Sequence, residues 1–167
     1  MTPPAADPLA GISFRPAAAA DQAVITAIIR EVGINPLSLK WPNFLLAVDA
    51  ATGAVAGTGQ IKTHGDGSRE LASIATRPAY RGRGIAGAII RRLIAQDAAE
   101  STAPLYLTCV STMGPFYEPF GFRAISAAEM PRFFRRLQGF VSFMEHFVRR
   151  DVTLLVMRRE HEPPPGR

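Results

Sequence analysis

Apolar residues recur along this chain at two spacings, every second position or every third to fourth, and the changes between the two mark out its elements. Residues 12–16 predict a first strand. Ile25, Ile28, Ile29 and Val32 then recur at helical spacing, with Asp21 near the start and Gly33 as the stop. Residues 35–43 carry Pro36 and Pro42 and predict a loop or a broken helix. Two apolar or alternating runs, 44–48 and 54–63, flank a segment with a turn-forming Thr52-Gly53, which predicts a hairpin. After the turn-rich His64-Gly65-Asp66-Gly67-Ser68, residues 70–76 read as another strand, ended by Pro78.

Farther on, Ile85, Ile89 and Leu93 fall at four-residue intervals beside Ala86, Ile90 and Ile94, while Arg91, Arg92 and Gln96 lie elsewhere on the wheel. A helix with one buried face follows from that pattern. Residues 105–110 are almost continuously apolar, as in a strand inside a parallel sheet covered on both faces. Strand, glycine-containing loop, helix and strand make a βαβ unit. Residues 113–120 predict a short helix and 122–125 a strand. Phe133, Leu137, Val141, Met144 and Val148 mark a longer amphipathic helix entered at Pro131, and residues 152–157 close the pattern as a strand. No internal repeat is visible.

The two ends stand apart from these patterns. Residues 1–11, with Pro3, Pro4 and Pro8, and residues 160–167, with Pro163, Pro164 and Pro165, lack periodicity and read as disordered tails. One folded domain over 12–159 is expected, because 167 residues with 47% hydrophobic content can bury a single substantial core. No apolar run approaches the roughly 20 residues that cross a bilayer, and no basic segment followed by an apolar one opens the chain. A cytoplasmic protein without a membrane partner is the expectation. The single cysteine, Cys109, and three scattered histidines, His64, His146 and His161, predict neither a disulfide nor a metal site.

The net charge of +5 rests almost wholly on arginine, with Lys40 and Lys62 as the only lysines. Such a balance suits a nucleic acid, an anionic cofactor or a plain solvated surface. No aromatic stripe of the RNA-binding kind and no helix-turn-helix pattern is present, so a nucleic-acid partner is not expected.

The anionic-cofactor reading gains from the loop Arg81-Gly82-Arg83-Gly84-Ile85-Ala86, which opens the predicted helix. Helix N-termini present backbone N–H groups without intrahelical partners, and these together with the helix dipole bind phosphate. Gly82 and Gly84 let the backbone approach, and Arg81 and Arg83 add charge suited to a pyrophosphate. A tight strand-to-helix turn that merely needs glycine is the plainer alternative. Gly82 to Gly87 also spells the dinucleotide fingerprint, but Arg77-Pro78-Ala79-Tyr80-Arg81 separates it from its strand, and no acid stands at Thr108, Cys109 or Val110 to bind a ribose.

Arg81, Gly84 and Ala86 spell the signature of the GNAT superfamily of N-acetyltransferases, and the chain resembles that family across most of residues 12–126. Residues 70–78 resemble the family's fourth strand, and Phe116-Tyr117-Glu118-Pro119-Phe120-Gly121-Phe122 its second characteristic segment. The resemblance implies an α/β fold whose twisted, mostly antiparallel sheet holds a central, splayed parallel strand pair flanked by helices. It implies acetyl-CoA as cosubstrate, no metal, and cofactor contacts along Ile74, Ala75 and Thr76 and through Arg81, Gly82, Arg83, Gly84, Ile85 and Ala86. Val110 departs from the pattern, since many members carry an asparagine there. The helix near 131–148 is also unusual, and it would cover the acceptor side or form the contact of a homodimer.

Acetyl transfer to an amine needs a neutral nucleophile, a polarised thioester carbonyl and a proton for the departing thiolate. By resemblance Tyr117 is the general acid, against a packing role for its ring. Glu70, eleven residues before Arg81, matches a position where some members hold the general base, against an ordinary charge at a strand start. A backbone N–H near Ile74 would polarise the carbonyl. Cys109 reads as a small buried side chain. Trp41 and Phe44 suit either the acceptor pocket or the core, and Arg132, Arg135 and Arg136 either an acidic acceptor or a solvated helix face. The acceptor, a small-molecule amine or a peptide, stays open, and a non-catalytic acetyl-CoA sensor is the rival function.

Overall fold

β1 (Ile12–Pro16) opens the computed structural model, which describes residues 7–145 and 153–161, and it pairs antiparallel with β2 (Phe44–Asp49) from Ile12↔Asp49 to Pro16↔Leu45. β2 in turn pairs antiparallel with β3 (Val55–Thr63), with a bulge between Ala47 and Val48. Between β1 and β2 runs α1 (Gln22–Glu31), stopped by Gly33, whose φ of 74° favours glycine. The periodic residues Ile25, Ile28 and Ile29 are fully buried against Phe44, Leu46, Val48 and Val55. Residues 35–43 hold only one 3-10 turn, at Trp41–Asn43, and both Trp41 and the buried Phe44 belong to this hydrophobic core. Their core reading is the one observed.

Contacts group the described residues into two compact units, 1–61 with 73–93 and 62–72 with 94–167. β4 (Arg69–Thr76) contributes to both. In the first unit the hydrogen-bonded order is β1-β2-β3-β4, and in the second it is β4-β5-β7-β6. Among the described residues the strands make a seven-stranded, mostly antiparallel sheet with one parallel pair, β4 and β5 (Leu105–Val110). On β5 only Leu105 and Tyr106 have partners on β4, at Arg69 and Glu70. All six β5 residues pair antiparallel with β7 (Leu154–Arg159), which also pairs with the short β6 (Arg123–Ala124). The expected parallel pair is thus β4 with β5, while the other edge of β5 has an antiparallel neighbour, which apolar spacing does not encode.

α2 (Ile85–Glu100) begins directly after the glycine loop. In the first unit its Ile85, Ile89 and Leu93 lie so close to β3 that a Cβ built on Gly57 or Gly59 would fall within 3.0 Å of them. Those two strand glycines are the counterpart of the helix's apolar face. In the second unit Asp97 of α2 is fully buried. Its carboxylate accepts hydrogen bonds from Arg69 Nε and from His161 Nε2, the latter at 2.7 Å, and Arg69 also reaches Glu100 at 2.9 Å. A buried charge is tolerable only when paired in this way.

α3 (Gly114–Tyr117) is a single turn between two 3-10 turns, and α4 (Arg132–Glu145) follows β6. The end of the predicted helix, 146–148, lies outside the described residues. So do 1–6 and 162–167 of the two predicted tails; residues 7–11 form a turn, and Glu160 and His161 follow β7. A second core joins Tyr106, Ile125, Met130, Phe134 and Val156, with Phe133 packed against it. Among the described residues no helix is long and apolar enough to cross a membrane, and no cluster of three metal-ligating side chains occurs.

Candidate active site

In the first unit the phosphate-loop residues sit as helix geometry requires. Gly84 accepts the first bond of α2, from Ala88 N–H at 3.0 Å, which leaves the N–H groups of Ile85, Ala86 and Gly87 without intrahelical acceptors. Gly82 and Gly84 have φ values of 78° and 72°, and a Cβ on either would meet nothing within 4 Å. Glycine is needed there for its backbone angle, and the space beside it is open. The two arginines divide. Arg83 donates to the carbonyls of Pro8 (3.1 Å) and Ala10 (2.8 Å) and so ties down the segment before β1. Arg81 is exposed and makes no side-chain bond among the described residues, so it is the one whose charge is unspent.

The strand leading to this loop is kinked. Ser73 has a φ of 55°, a left-handed conformation that costs a non-glycine residue on the order of 1–3 kcal/mol. Two buried bonds hold it there: its carbonyl accepts from Thr58 Oγ1 at 3.1 Å, and its hydroxyl accepts from Gln60 Nε2 at 2.8 Å. The positive φ falls just before Ile74, Ala75 and Thr76. Nearby, the buried oxygens Gln60 Oε1 and Thr76 Oγ1 have no hydrogen-bond partner among the described residues. Unpaired buried oxygens are rare because each costs about 1–3 kcal/mol, so these suit amide or hydroxyl donors of a bound molecule. None of Ser73, Thr58 and Gln60 was singled out by sequence pattern.

In the second unit Glu70 is no ordinary strand-end charge. It is 6% exposed, and both of its oxygens are engaged. Oε1 accepts from the Thr108 hydroxyl at 3.0 Å and Oε2 from His64 Nε2 at 2.8 Å. The His64 ring stacks on Phe133 of α4 with centroids 3.5 Å apart and planes 11° from parallel. Because a carboxylate can only accept, Nε2–H is the donor of this bond, and the lone pair of the neutral imidazole is on Nδ1. The signal for this pair was present in the sequence: His64 and Glu70 flank Gly65-Asp66-Gly67-Ser68-Arg69, and a tight turn there folds one back to the other. His64 N–H bonds the Ser68 carbonyl at 2.9 Å.

Tyr117 ends α3, held edge-on to Phe116 at 5.0 Å and to the buried Phe122 at 6.3 Å. Burial, with a smaller effect of charge on Cys109, pushes its hydroxyl up to about 12, so it is fully protonated at neutral pH. Cys109 itself is partly buried beside Met157, its sulfur 3.9 Å from the thioether, and burial pushes the thiol up. A raised pKa makes a poor nucleophile, as expected of a packing residue.

Residues 40–124, just over half of the chain, match the model of the acetyltransferase (GNAT) domain. The chain belongs to the GNAT acetyltransferase family. Similar solved structures include the N-acetylglutamate synthase of Neisseria gonorrhoeae complexed with coenzyme A and N-acetyl-glutamate, with a TM-score of 0.68 at 22% identity over 90% of this chain. The chain spans only 35% of that synthase. The ribosomal-protein-S18-alanine N-acetyltransferase of Escherichia coli gives 0.67 at 15% identity, covering 92% of this chain and 96% of that one. A GCN5-related N-acetyltransferase of Kribbella flavida gives 0.66 at 22%, covering 91% and 99%. At these identities the likeness is one of fold. No curated protein sequence matches the chain. For this family member the fold places the signature loop at the start of α2, while Glu70 and Tyr117 fall on β4 and α3.

Proposed function

We propose that residues 12–159 act as one catalytic domain that moves the acetyl group of acetyl-CoA to a primary amine, on a small molecule or a peptide. The observation that carries this reading is the α2 loop, where open Gly82 and Gly84, unspent Arg81 and unpaired helix N–H groups offer a ready anion site. Ile74, Ala75 and Thr76 follow the Ser73 kink, and their backbone with the orphaned Thr76 hydroxyl supplies contacts for the amides of the pantetheine arm. A backbone N–H at Ile74 polarises the thioester carbonyl.

The amine must lose a proton before it attacks. With both Glu70 oxygens occupied, the proton goes to Nδ1 of His64, and Glu70 stabilises the resulting imidazolium, the arrangement that orients a histidine base in acyl transfer. As the N–C bond forms and the C–S bond breaks, Tyr117 donates its proton to the sulfur. A phenol at about 12 is a weak acid for a thiol of ordinary pKa near 8.5, a mismatch of roughly 5 kcal/mol. Two effects reduce it: burial raises the thiol as it raised Tyr117, and the second proton of the attacking nitrogen replaces the one Tyr117 gives up. In balance, one amine proton leaves to solvent through His64 and the other ends on CoA sulfur.

Arg81→Glu tests the site. Calorimetry should show acetyl-CoA binding by the folded wild type and a loss of at least about 10-fold in the variant, the scale of a charge-assisted contact reversed in sign. Unchanged affinity would place the pyrophosphate elsewhere.

A further inference from the structure

The second unit contains a pocket of about 360 Å³ lined by Gly65, Asp66, Arg132, Phe133 and Arg136. Its size is that of a small-molecule site. Arg132 and Arg136 are four residues apart on α4, hence on one face and one turn from each other. Neither guanidinium makes a hydrogen bond or ion pair among the described residues, although the helix would gain from neutralising two adjacent like charges. The acid in the lining does not serve that purpose. Asp66 Oδ1 accepts from the Ser68 N–H at 3.1 Å and hydroxyl at 2.6 Å, and Oδ2 accepts from the Phe133 N–H at 2.8 Å. Its role is to cap α4, and the pocket keeps a net positive lining.

Phe133 connects this pocket to the acid–base pair. The ring stacks on His64, whose Nε2 bonds Glu70, so a molecule lying in the pocket contacts a side chain that packs directly on the candidate base. A carboxylate held by the two guanidiniums of this lining, in an acceptor whose amine must reach His64, describes an amino acid.

We propose that Arg132 and Arg136 bind the carboxylate of the acceptor, and that the acceptor class is therefore amines carrying a free carboxylate. The assignment rests on the acetyl-transfer reading above and narrows it. Free guanidinium pairs are suited to carboxylates because their planar N–H groups match the two oxygens.

The test uses the full chain and matched pairs of acceptors, L-amino acids and their primary amides, which differ in charge and hardly in size. CoA thiol release should favour the acids by at least about 10-fold in kcat/KM. Arg132→Gln and Arg136→Gln should each raise KM for the acid about 10-fold or more while KM for the amide and for acetyl-CoA stays within about twofold. Equal effects on acid and amide, a preference for the amide, or a shift confined to acetyl-CoA would overturn the assignment. Should no amine turn over, the acetyl-transfer reading fails separately. The pocket is then judged by calorimetry with the amino acids alone: binding lost in the double Arg132→Gln, Arg136→Gln variant supports it, and no binding by the wild type refutes it.

Discussion

Tyr117 and Glu70 were both legible as chemistry-bearing residues through the family's motifs, but only the structure shows what surrounds each. The Tyr117 hydroxyl is raised to about 12 by burial, so its acid form persists across the working range. Removing that one oxygen in Tyr117→Phe keeps the ring's edge-on packing against Phe116 and Phe122. We expect kcat to fall about 100-fold with acetyl-CoA affinity unchanged, the lower end of what general acids contribute. The pH profile carries the sign. A group with a pKa near 12 loses its proton only above that value, so the wild-type rate should show no descending limb from Tyr117 below about pH 10. A descending limb near pH 8 to 9 that vanishes in Tyr117→Phe would mean a much more acidic tyrosine. Glu70 was readable as a general base or as an ordinary charge at a strand start; the structure adds that it is buried, with His64 and Thr108 on its two oxygens. His64 was passed over because a lone histidine in a polar turn carries no periodic signal.

At the scale of elements, the strands and helices follow the apolar spacing closely. β1 and β5 coincide with the predicted residues, and α2 begins at the first residue of its four-residue repeat. What spacing does not encode is the direction of a strand's neighbour, hence the antiparallel β7 beside β5. Nor does it encode a kink at a serine: Ser73 takes a positive φ because Thr58 and Gln60 hold it, and those bonds come from a different strand. The close approach of α2 to β3 was equally hidden, since Gly57 and Gly59 look like weak points in a strand until the helix above them is known. Their environments differ. A Cβ on Gly57 would meet the Ala75 carbonyl oxygen at 2.8 Å, whereas one on Gly59 would meet the side-chain ends of Ile89, Ile74 and Leu93 at 2.6, 2.7 and 2.9 Å. Side-chain ends can move and a strand carbonyl cannot. Gly57→Ala should therefore destabilise by about 1–3 kcal/mol and exceed Gly59→Ala in chemical denaturation, even though the shortest distance belongs to Gly59. The reverse order would mean that β4 yields more easily than the helix's apolar face.

For the whole molecule, the match is to the GNAT acetyltransferase domain, and both the proposed reaction and its acceptor rest on the chain's own features. Composition gave the anionic cofactor as one of several uses for a positive net charge; the structure divides that charge among named tasks. Arg83 holds the segment before β1, Arg69 pairs with buried Asp97, and Arg81, Arg132 and Arg136 have no side-chain hydrogen bond or ion pair among the described residues. The most direct test of acetyl transfer is CoA thiol release by the wild-type protein supplied with acetyl-CoA and a panel of primary amines, the acetylated product identified by mass. The account predicts amine-dependent thiol release with an N-acetyl product in equal amount. Tight acetyl-CoA binding with no thiol released by any amine of the panel would contradict it and favour a cofactor-sensing module.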